Sequence, residues 1–340
     1  MLQTIASAMS HTNTALHPLV LPGDYPIWDW GVGDPPLAEG LYGKKLVAVI
    51  GNLDGVHVGH QKLIAECVRR ADEKNMLAAA ISFTPHPRRF FVPEAEGFAL
   101  TDDHDKHALL AEAGIRVMIR LRFNPAMQNT SAQDFISQVL PNLAVAELCA
   151  GEEFRFGTGR EGTMAMLGDE GEKLGITAVP MALVEAEGSP ISSSRIRTCL
   201  AEGDPKQASR FLGRPYCISG VVVKGEGRGR AMGFATANIS LGAYQPPAFG
   251  VYMASVGSPE LGVMPAIANI GIRPTVDGTE TWAEAHIFNA TPDLYGKRIN
   301  IFCHEFLRPE KKFDNLASLR HQIGVDIKAA RHWHRLALDK

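Results

Sequence analysis

The chain has no C-x-x-C pair, no apolar run long enough to cross a bilayer, and no internal repeat or low-complexity tract. The first absence argues against a zinc knuckle or a dithiol redox centre, the second against a transmembrane helix, and the third against a solenoid. Five cysteines (Cys67, Cys149, Cys199, Cys217 and Cys303) are scattered, odd in number and mostly set in apolar runs. That usage predicts reduced core thiols in a cytoplasmic protein rather than a disulfide framework. Met1 to Leu21 lacks the basic start and unbroken apolar core of a signal peptide. Excess charge is also missing. A formal net charge of -3 gives no general attraction to nucleic acid, although local basic clusters exist. With 45% hydrophobic and 21% charged residues, neither disorder nor membrane residence is indicated. A length of 340 residues leaves room for two cores.

Residues 1–44 carry Pro18, Pro22, Pro26, Pro35 and Pro36 among several glycines, and read as a poorly specified extension draped on the first domain. From Leu46 to about Leu212, apolar runs (46–50, 77–83, 115–121, 145–150, 176–183) alternate with helical patterns (near 58–74, 104–113, 132–140, 162–174). Such alternation predicts a parallel, doubly wound sheet. Two helices follow, with Ser192 to Ser194 capping the first and Asp204-Pro205 opening the second. After Gly213-Arg214-Pro215 the rhythm changes to short β-branched runs broken by glycine and proline over 216–306, which predicts a small antiparallel barrel or sandwich. A closing helix is expected with Asp314 as its N-cap and Leu316, Leu319, Ile323 and Ile327 as its apolar stripe. The division is therefore 1–44, 45–213 and 214–335.

The richest motif is Gly51-Asn52-Leu53-Asp54-Gly55-Val56-His57-Val58-Gly59-His60, between the first apolar run and a helix. Where a parallel strand turns into a helix, free N–H groups and the helix dipole face outward and bind phosphate. The Gly51-x-x-Asp54-Gly55 turn with His57 and His60 therefore reads as a nucleotide site, with two imidazoles on a triphosphate and glycine allowing close approach. A chance match at a polar helix start is the plainer reading. Its chemistry would be attack on the α-phosphate of ATP with loss of pyrophosphate, which needs donors on the triphosphate more than a covalent nucleophile. Ile191-Ser192-Ser193-Ser194-Arg195-Ile196-Arg197 offers a second phosphate clamp at a helix start, with Ser193 and Arg197 as its groups. Gly151-Glu152-Glu153-Phe154-Arg155-Phe156-Gly157 follows another strand; Phe154 and Phe156 either stack on a planar ring or anchor their loop. Ser82-Phe83-Thr84-Pro85-His86-Pro87 is a proline-stiffened loop facing the same crevice.

In the second half, Gly225-x-Gly227-x-Gly229 leads into Phe234-Ala235-Thr236-Ala237-Asn238 with no following helix, so it is neither a dinucleotide fingerprint nor a Walker loop. Glycines let amides approach phosphates, Arg228 and Arg230 add charge, and Thr236 and Asn238 offer hard oxygen ligands suited to Mg²⁺ on ATP. Alone, the segment would read as a flexible hairpin loop. Glu284, in Thr281-Trp282-Ala283-Glu284-Ala285-His286-Ile287, has alternating neighbours; on the inner face of a small barrel its carboxylate would be costly without a role.

Taken in order, these elements resemble the bacterial bifunctional riboflavin kinase/FAD synthetases. The first half is similar to their FMN adenylyltransferase module. Arg228 to Asn238 looks like the flavokinase signature, and Ala268 to Thr275 and Leu307 to Phe313 also resemble that family. The resemblance spans about 46–331. It implies a Rossmann-like nucleotidyltransferase domain with a parallel sheet, then a small antiparallel β-barrel flavokinase domain and a C-terminal helix. It implies two reactions, ATP-dependent phosphorylation of riboflavin to FMN and adenylylation of FMN to FAD, with Mg²⁺ and no nucleic-acid or membrane partner. By motif position, Gly51, Asp54, Gly55, His57 and His60 would meet ATP in the first domain, Ser193 and Arg197 would clamp its triphosphate, and Glu153, Phe154 and Phe156 would lie near the flavin. Gly225, Gly227, Gly229 and Arg230 would hold the second ATP, Thr236 and Asn238 the metal, and Glu284 would take the proton from the riboflavin 5′-hydroxyl. Arg308 and Lys311 to Phe313 would shape the lip of that site.

Leu53 stands where the family usually has phenylalanine, Thr84 where it has an acidic residue, Ser194 for threonine, Glu153 for aspartate or asparagine, and Ala235 for proline. Leu53, Thr84 and Glu153, clustered around the first domain's crevice, keep open a flavin-binding or regulatory relative with weak adenylyl transfer. An adenylyltransferase for another phosphate ester is a third reading, which the second domain argues against.

Overall fold

In the computed structural model, residues 16–23, 25–37, 40–41, 43–92, 97–225, 233–275 and 278–338 are described; the side chains of 274, 275, 278 and 338 are not. The chain forms two compact units. One comprises Leu21–Ala95 and Lys106–Ile191; the other gathers the N-terminal residues to Val20, Glu96–Asp105 and Ser192–Lys340.

The first unit holds a six-stranded, all-parallel sheet of β1 (Ile27–Trp30), β2 (Leu46–Ile50), β3 (Leu77–Thr84), β4 (Val117–Arg122), β5 (Val145–Gly151) and β6 (Thr177–Met181), in the order β1-β4-β3-β2-β5-β6. The chain moves outward from β2 through β3 to β4, then crosses to β5 on the other side. The order therefore reverses between β2 and β5, where open parallel sheets form a crevice at their carboxyl ends. Every residue of β2 is buried, as its apolar run predicts. Helix α1 (Val58–Glu73) buries Leu63, Ile64, Cys67 and Ala71 on the sheet. Its far end is tied to β5 by Glu147, a buried carboxylate that accepts from Arg70 Nε at 2.6 Å and from Lys74. Burial pushes this carboxyl up, but those hydrogen bonds outweigh it and hold it below the usual carboxylate range.

Residues 25–37 are more built-in than the sequence suggested. Ile27–Trp30 is a strand paired in parallel with β4, and Trp30, Leu37 and Leu41 join the core. Asp29 accepts two hydrogen bonds from Arg120, at 2.7 and 2.6 Å, and Trp30 Nε1 donates to Pro35 O at 3.0 Å. A strand of four residues is too short for period-2 alternation to show.

A two-residue hairpin, β7 (Glu185–Ala186) with β8 (Ser189–Pro190), closes the first unit. Next, among the longer helices, come α2 (Ser193–Ala201), capped by Ser192 Oγ on Arg195 N at 3.3 Å, and α3 (Pro205–Leu212), capped by Asp204 with Pro205 in its first turn. Both caps follow the sequence expectation, yet these helices fall in the second unit, where α3 packs on its strands. The segment Glu96–Asp105 joins them because Asp105 is fully buried among Ser219 Oγ (2.5 Å), Tyr244 OH (3.0 Å) and Arg298 Nη2 (2.9 Å). Compactness thus cuts the chain before 213–215.

Strands β9 (Tyr216–Val221), β10 (Ala237–Ser240), β11 (Gly250–Ser258), β12 (Gly262–Thr275), β13 (Gly278–Ile287) and β14 (Arg298–Pro309) form an antiparallel sheet ordered β10-β13-β12-β11-β14-β9. A bridge between Val223 and Asn238 brings its two edges together into a nearly closed barrel. Helix α4 (Leu316–Leu338) covers one face of β11 and β12 through Ile323, Ile327, Ala330 and Trp333. Two details differ from expectation. Asn315, not Asp314, caps this helix, its Oδ1 accepting from Ser318 N at 2.9 Å. Leu316 lies outside the apolar stripe at 69% exposure.

Near its end, α4 carries Trp333 and His334. Trp333 stacks on His304 of β14, and His334 Nε2 donates to Ala254 O and Ala266 O at 2.9 and 3.1 Å. His304 Nε2 lies 2.8 Å from Ser255 Oγ. Burial, with His334 nearby, pushes the His304 pKa down to about 4. A histidine kept neutral by folding contributes stability that is present above its unfolded pKa near 6.5 and lost as pH falls toward the folded value. Lowering the pH from 7 to 5 is therefore expected to remove about 2 kcal/mol through this group. Urea unfolding of wild type and His304→Gln at both pH values checks it: the pH-induced loss should be smaller in the variant by that amount.

Candidate active sites

The first site is built on the turn from β2 into α1. Within four residues the backbone takes positive φ at Leu53 (50°), Gly55 (80°) and Val56 (40°). For a β-branched residue such as Val56 this is a strained conformation, held here by packing, since Val56 and Leu53 are both buried. The turn is closed by Val56 N donating to Leu53 O at 3.1 Å and by Gln61 Nε2 donating to Val56 O at 2.8 Å. His57 is the N-cap of α1, its Nδ1 accepting from His60 N at 3.4 Å, and the two imidazoles stack at 3.6 Å between centroids. Gly59 makes room for this pair: a Cβ there would lie 3.2 Å from the His57 ring. The glycine the sequence assigned to phosphate approach thus also serves histidine packing. Gly51 directly follows β2, and Asp54 is buried within the turn.

Beside this turn lies a cavity of about 590 Å³, lined by Gly51, Asn52, Phe83, Phe91, Phe123 and Phe154 among others. Glu153 also lines it and is exposed. Phe154 and Phe156 behave differently. Phe156 is only 5% exposed and packs on Phe135 (5.2 Å between centroids), while Gly162 lies flat against its ring. It anchors the loop, and Phe154, stacked outside it at 5.9 Å, is the half-buried ring. Phe123, missed in the sequence, holds Phe83, Phe90 and Phe91 edge-on at 5.7, 5.2 and 5.9 Å. Its position just past the end of β4 was the available signal.

Ser193 and Arg197 lie on α2, outside the compact unit that holds His57. Arg197 Nε donates to Phe98 O at 2.6 Å and its guanidinium lies 5.5 Å from the Phe98 ring.

The second site lies in the barrel. Asn238 on β10 faces Glu284 on β13, which faces Asn269 on β12, so three polar side chains form one row across adjacent strands. Two cavities meet at Thr236, which lines both. One, of about 530 Å³, is bounded by Lys224, Gly225, Asn238 and Tyr295. The other, of about 450 Å³, is bounded by Asn269, Glu284, His286, Arg308, Lys311 and Phe313 and roofed by α4. Arg308 and Phe313 are at this lip as expected, and Arg308 is held by Asp326 of α4 through Nη2 at 2.6 Å. His286 Nδ1 donates to Ala235 O at 2.9 Å. Gly225 admits the Asn238 amide, since a Cβ there would lie 2.7 Å from its Nδ2. Gly227, Gly229 and Arg230 lie outside the described residues.

Glu284 does not face the barrel interior. Ala283, Ala285 and Ile287 are the buried set, and Glu284 points with His286 to the α4 side, 31% exposed. Its charge is compensated by Arg273, whose Nε donates to Glu284 Oε1 at 3.1 Å. The sequence alternation was read correctly, but the small apolar set, not Glu284, takes the inner face.

The FAD synthetase family model matches residues 42–195 and the riboflavin kinase model matches 212–334. The chain belongs to the bifunctional riboflavin kinase/FAD synthetase family. Three curated relatives named bifunctional riboflavin kinase/FMN adenylyltransferase align along most of it. They come from Pseudomonas fluorescens (37% identity, 84% of this chain, 92% of that one), Escherichia coli K12 (36%, 85% and 93%) and Bacillus subtilis (35%, 84% and 92%). A solved structure described as a macrolide-efflux protein from Streptococcus pneumoniae superposes with a TM-score of 0.76 at 27% identity, covering 90% of this chain and 99% of that one. No helix among the described residues is long and apolar enough to cross a membrane.

The two phenylalanines of the 153–156 loop should separate cleanly. Phe156→Ala is expected to cost about 3–5 kcal/mol of stability and Phe154→Ala less than half of that. Denaturant unfolding of each variant measures the difference.

Proposed function

We propose that the chain makes FMN from riboflavin and ATP in the barrel, residues 214–335, and FAD from FMN and ATP in the segment 45–213. Membership of the family and the paired activities in its relatives' names support both halves. The observation that carries the kinase half is the Asn238–Glu284 row beside Thr236, the residue common to two cavities. One cavity takes the nucleotide and the other the flavin. In the first step Glu284 accepts the proton of the riboflavin 5′-hydroxyl as its oxygen attacks the γ-phosphorus and ADP leaves. Thr236 and the Asn238 oxygen are the hard donors suited to Mg²⁺, a metal held largely by phosphate and water, so a set of only two protein oxygens fits it. When bound, the metal neutralises charge on the phosphate oxygens. In this reading Gly225 borders the nucleotide's cavity.

In the second step an FMN phosphate oxygen attacks the α-phosphorus of another ATP and pyrophosphate leaves. FMN phosphate is already ionised, so the protein's work is orientation and charge stabilisation rather than proton removal. The stacked His57 and His60 at the N-terminus of a sixteen-residue helix supply donors and a favourable dipole. Gly51, Asp54 and Gly55 shape the turn, and Glu153, Phe154 and Phe156 form the flavin side, with Phe156 acting through the loop it anchors. Both chemistries suit a cytoplasmic enzyme with access to ATP.

Of the departures behind the regulatory reading, Leu53 has a structural account. Leu53 is buried in the turn at 1% exposure, so its replacement of phenylalanine alters packing rather than a ligand contact. Thr84 takes part through its backbone carbonyl, which accepts from Phe123 N at 2.9 Å.

Glu284→Ala is expected to abolish conversion of riboflavin to FMN while leaving FMN to FAD at the wild-type rate, and His57→Ala should do the reverse. Chromatography of each reaction decides it; loss of both activities in either well-folded variant contradicts the division of labour.

A further inference from the structure

Arg273 sits on β12 four residues beyond Asn269, on the same strand face, and reaches back toward the polar row. Its Nε and Nη2 both meet Glu284 Oε1, and Nη2 also donates to Asn238 Oδ1 at 2.8 Å. The guanidinium lies 5.3 Å from the Trp282 ring centroid, which limits its swing. Asn238 is confined as well: Gly225 lies against its Nδ2, which donates to Thr236 O at 3.2 Å. A guanidinium has only donors, so the amide oxygen, not its nitrogen, must face Arg273.

The geometry points to Arg273 as a positioning residue for riboflavin phosphorylation, aligning the Glu284 carboxylate and the Asn238 oxygen from one rigid fork. This inference rests on the kinase reading given above. The Arg273–Glu284 pair is mostly buried, at 23% and 31% side-chain exposure, so Arg273 also ties three strands together, and a split between kcat and stability separates positioning from that structural role. A planar fork with several fixed donors can set two acceptors at once, whereas an ammonium acts as a point charge. The bridge converges on Thr236, where the two cavities meet. Arg273 itself neither forms nor breaks a bond in the reaction.

Misplacing a reacting group by about an ångström costs on the order of 100-fold in rate. Arg273→Gln is therefore expected to lower kcat for FMN formation by roughly 30–100-fold. Its KM for riboflavin should stay within about threefold of wild type, as should riboflavin Kd measured by flavin fluorescence without nucleotide or metal. Arg273→Lys should remain at least about tenfold slow, because charge returns without the fork. Urea unfolding of the same preparations reports on folding of the barrel. An Arg273→Gln enzyme with kcat within twofold of wild type overturns the inference, as does a loss confined to KM and Kd. Full rescue by lysine also overturns it, and lysine is the deciding variant where glutamine fails to fold. If wild type makes no FMN, the kinase reading itself fails. Glu284→Gln inactive beside fully active Arg273 variants defeats only the inference.

Discussion

The barrel site depends on strand register. Asn238, Glu284 and Asn269 meet only because β10, β13 and β12 pair in one alignment, and a slip of a single residue exchanges the faces of a strand. Were β13 to slip against its neighbours, Ala283 and Ala285 would turn toward α4 and Glu284 would enter the barrel interior without Arg273. The apolar alternation enforces the observed choice: Ala283, Ala285 and Ile287 are buried, as are Ala266, Ala268 and Ile270 on β12. Burial of small apolar side chains on one face thus sets the chemistry on the other. Helix α4 then converts that polar face into the wall of a cavity, secured by Arg308 to Asp326 and by Trp333 Nε1 donating to Glu305 at 2.7 Å.

The parallel sheet solves its problem differently. Its central strands β2, β3 and β5 are largely buried on both faces, so side chains within them are committed to the core, and chemistry collects where strands end. The reversal of strand order between β2 and β5 leaves a crevice, and the loops after those strands, 51–57 and 152–160, supply its walls. The strained backbone from Leu53 to Val56 is maintained by the buried side chains of those two residues. That is a reason for Leu53 to be large and apolar whether or not it is aromatic.

Much of this was readable from residue order. The strand–helix alternation, the caps at Ser192 and Asp204, the change of rhythm near 213 and the placement of His57 and His60 at a strand–helix turn all stand in the structure. What escaped depends on tertiary partners. Ile27–Trp30 becomes a strand only because β4 has a free edge. Phe156 differs from Phe154 only because Phe135 and Gly162 meet it. The face presented by Glu284 is fixed by which residues of β13 the other strands bury, and Arg273 reveals its reach only once three strands are aligned. Asn315 in place of Asp314 is a one-residue cap difference, since either side chain can accept from a free helical N–H.

The central claim is that one chain performs two distinct phosphorus chemistries, attack at the γ-phosphorus in the barrel and at the α-phosphorus beside the parallel sheet. Isotope tracing tests it most directly: wild-type protein, riboflavin and Mg²⁺ are incubated with ATP labelled at either the γ- or the α-phosphate, and the flavins are separated. The account predicts that γ-label enters both FMN and FAD, whereas α-label enters FAD alone and pyrophosphate appears with it. Label from the α-phosphate in FMN, or no labelled flavin from either ATP, would contradict it.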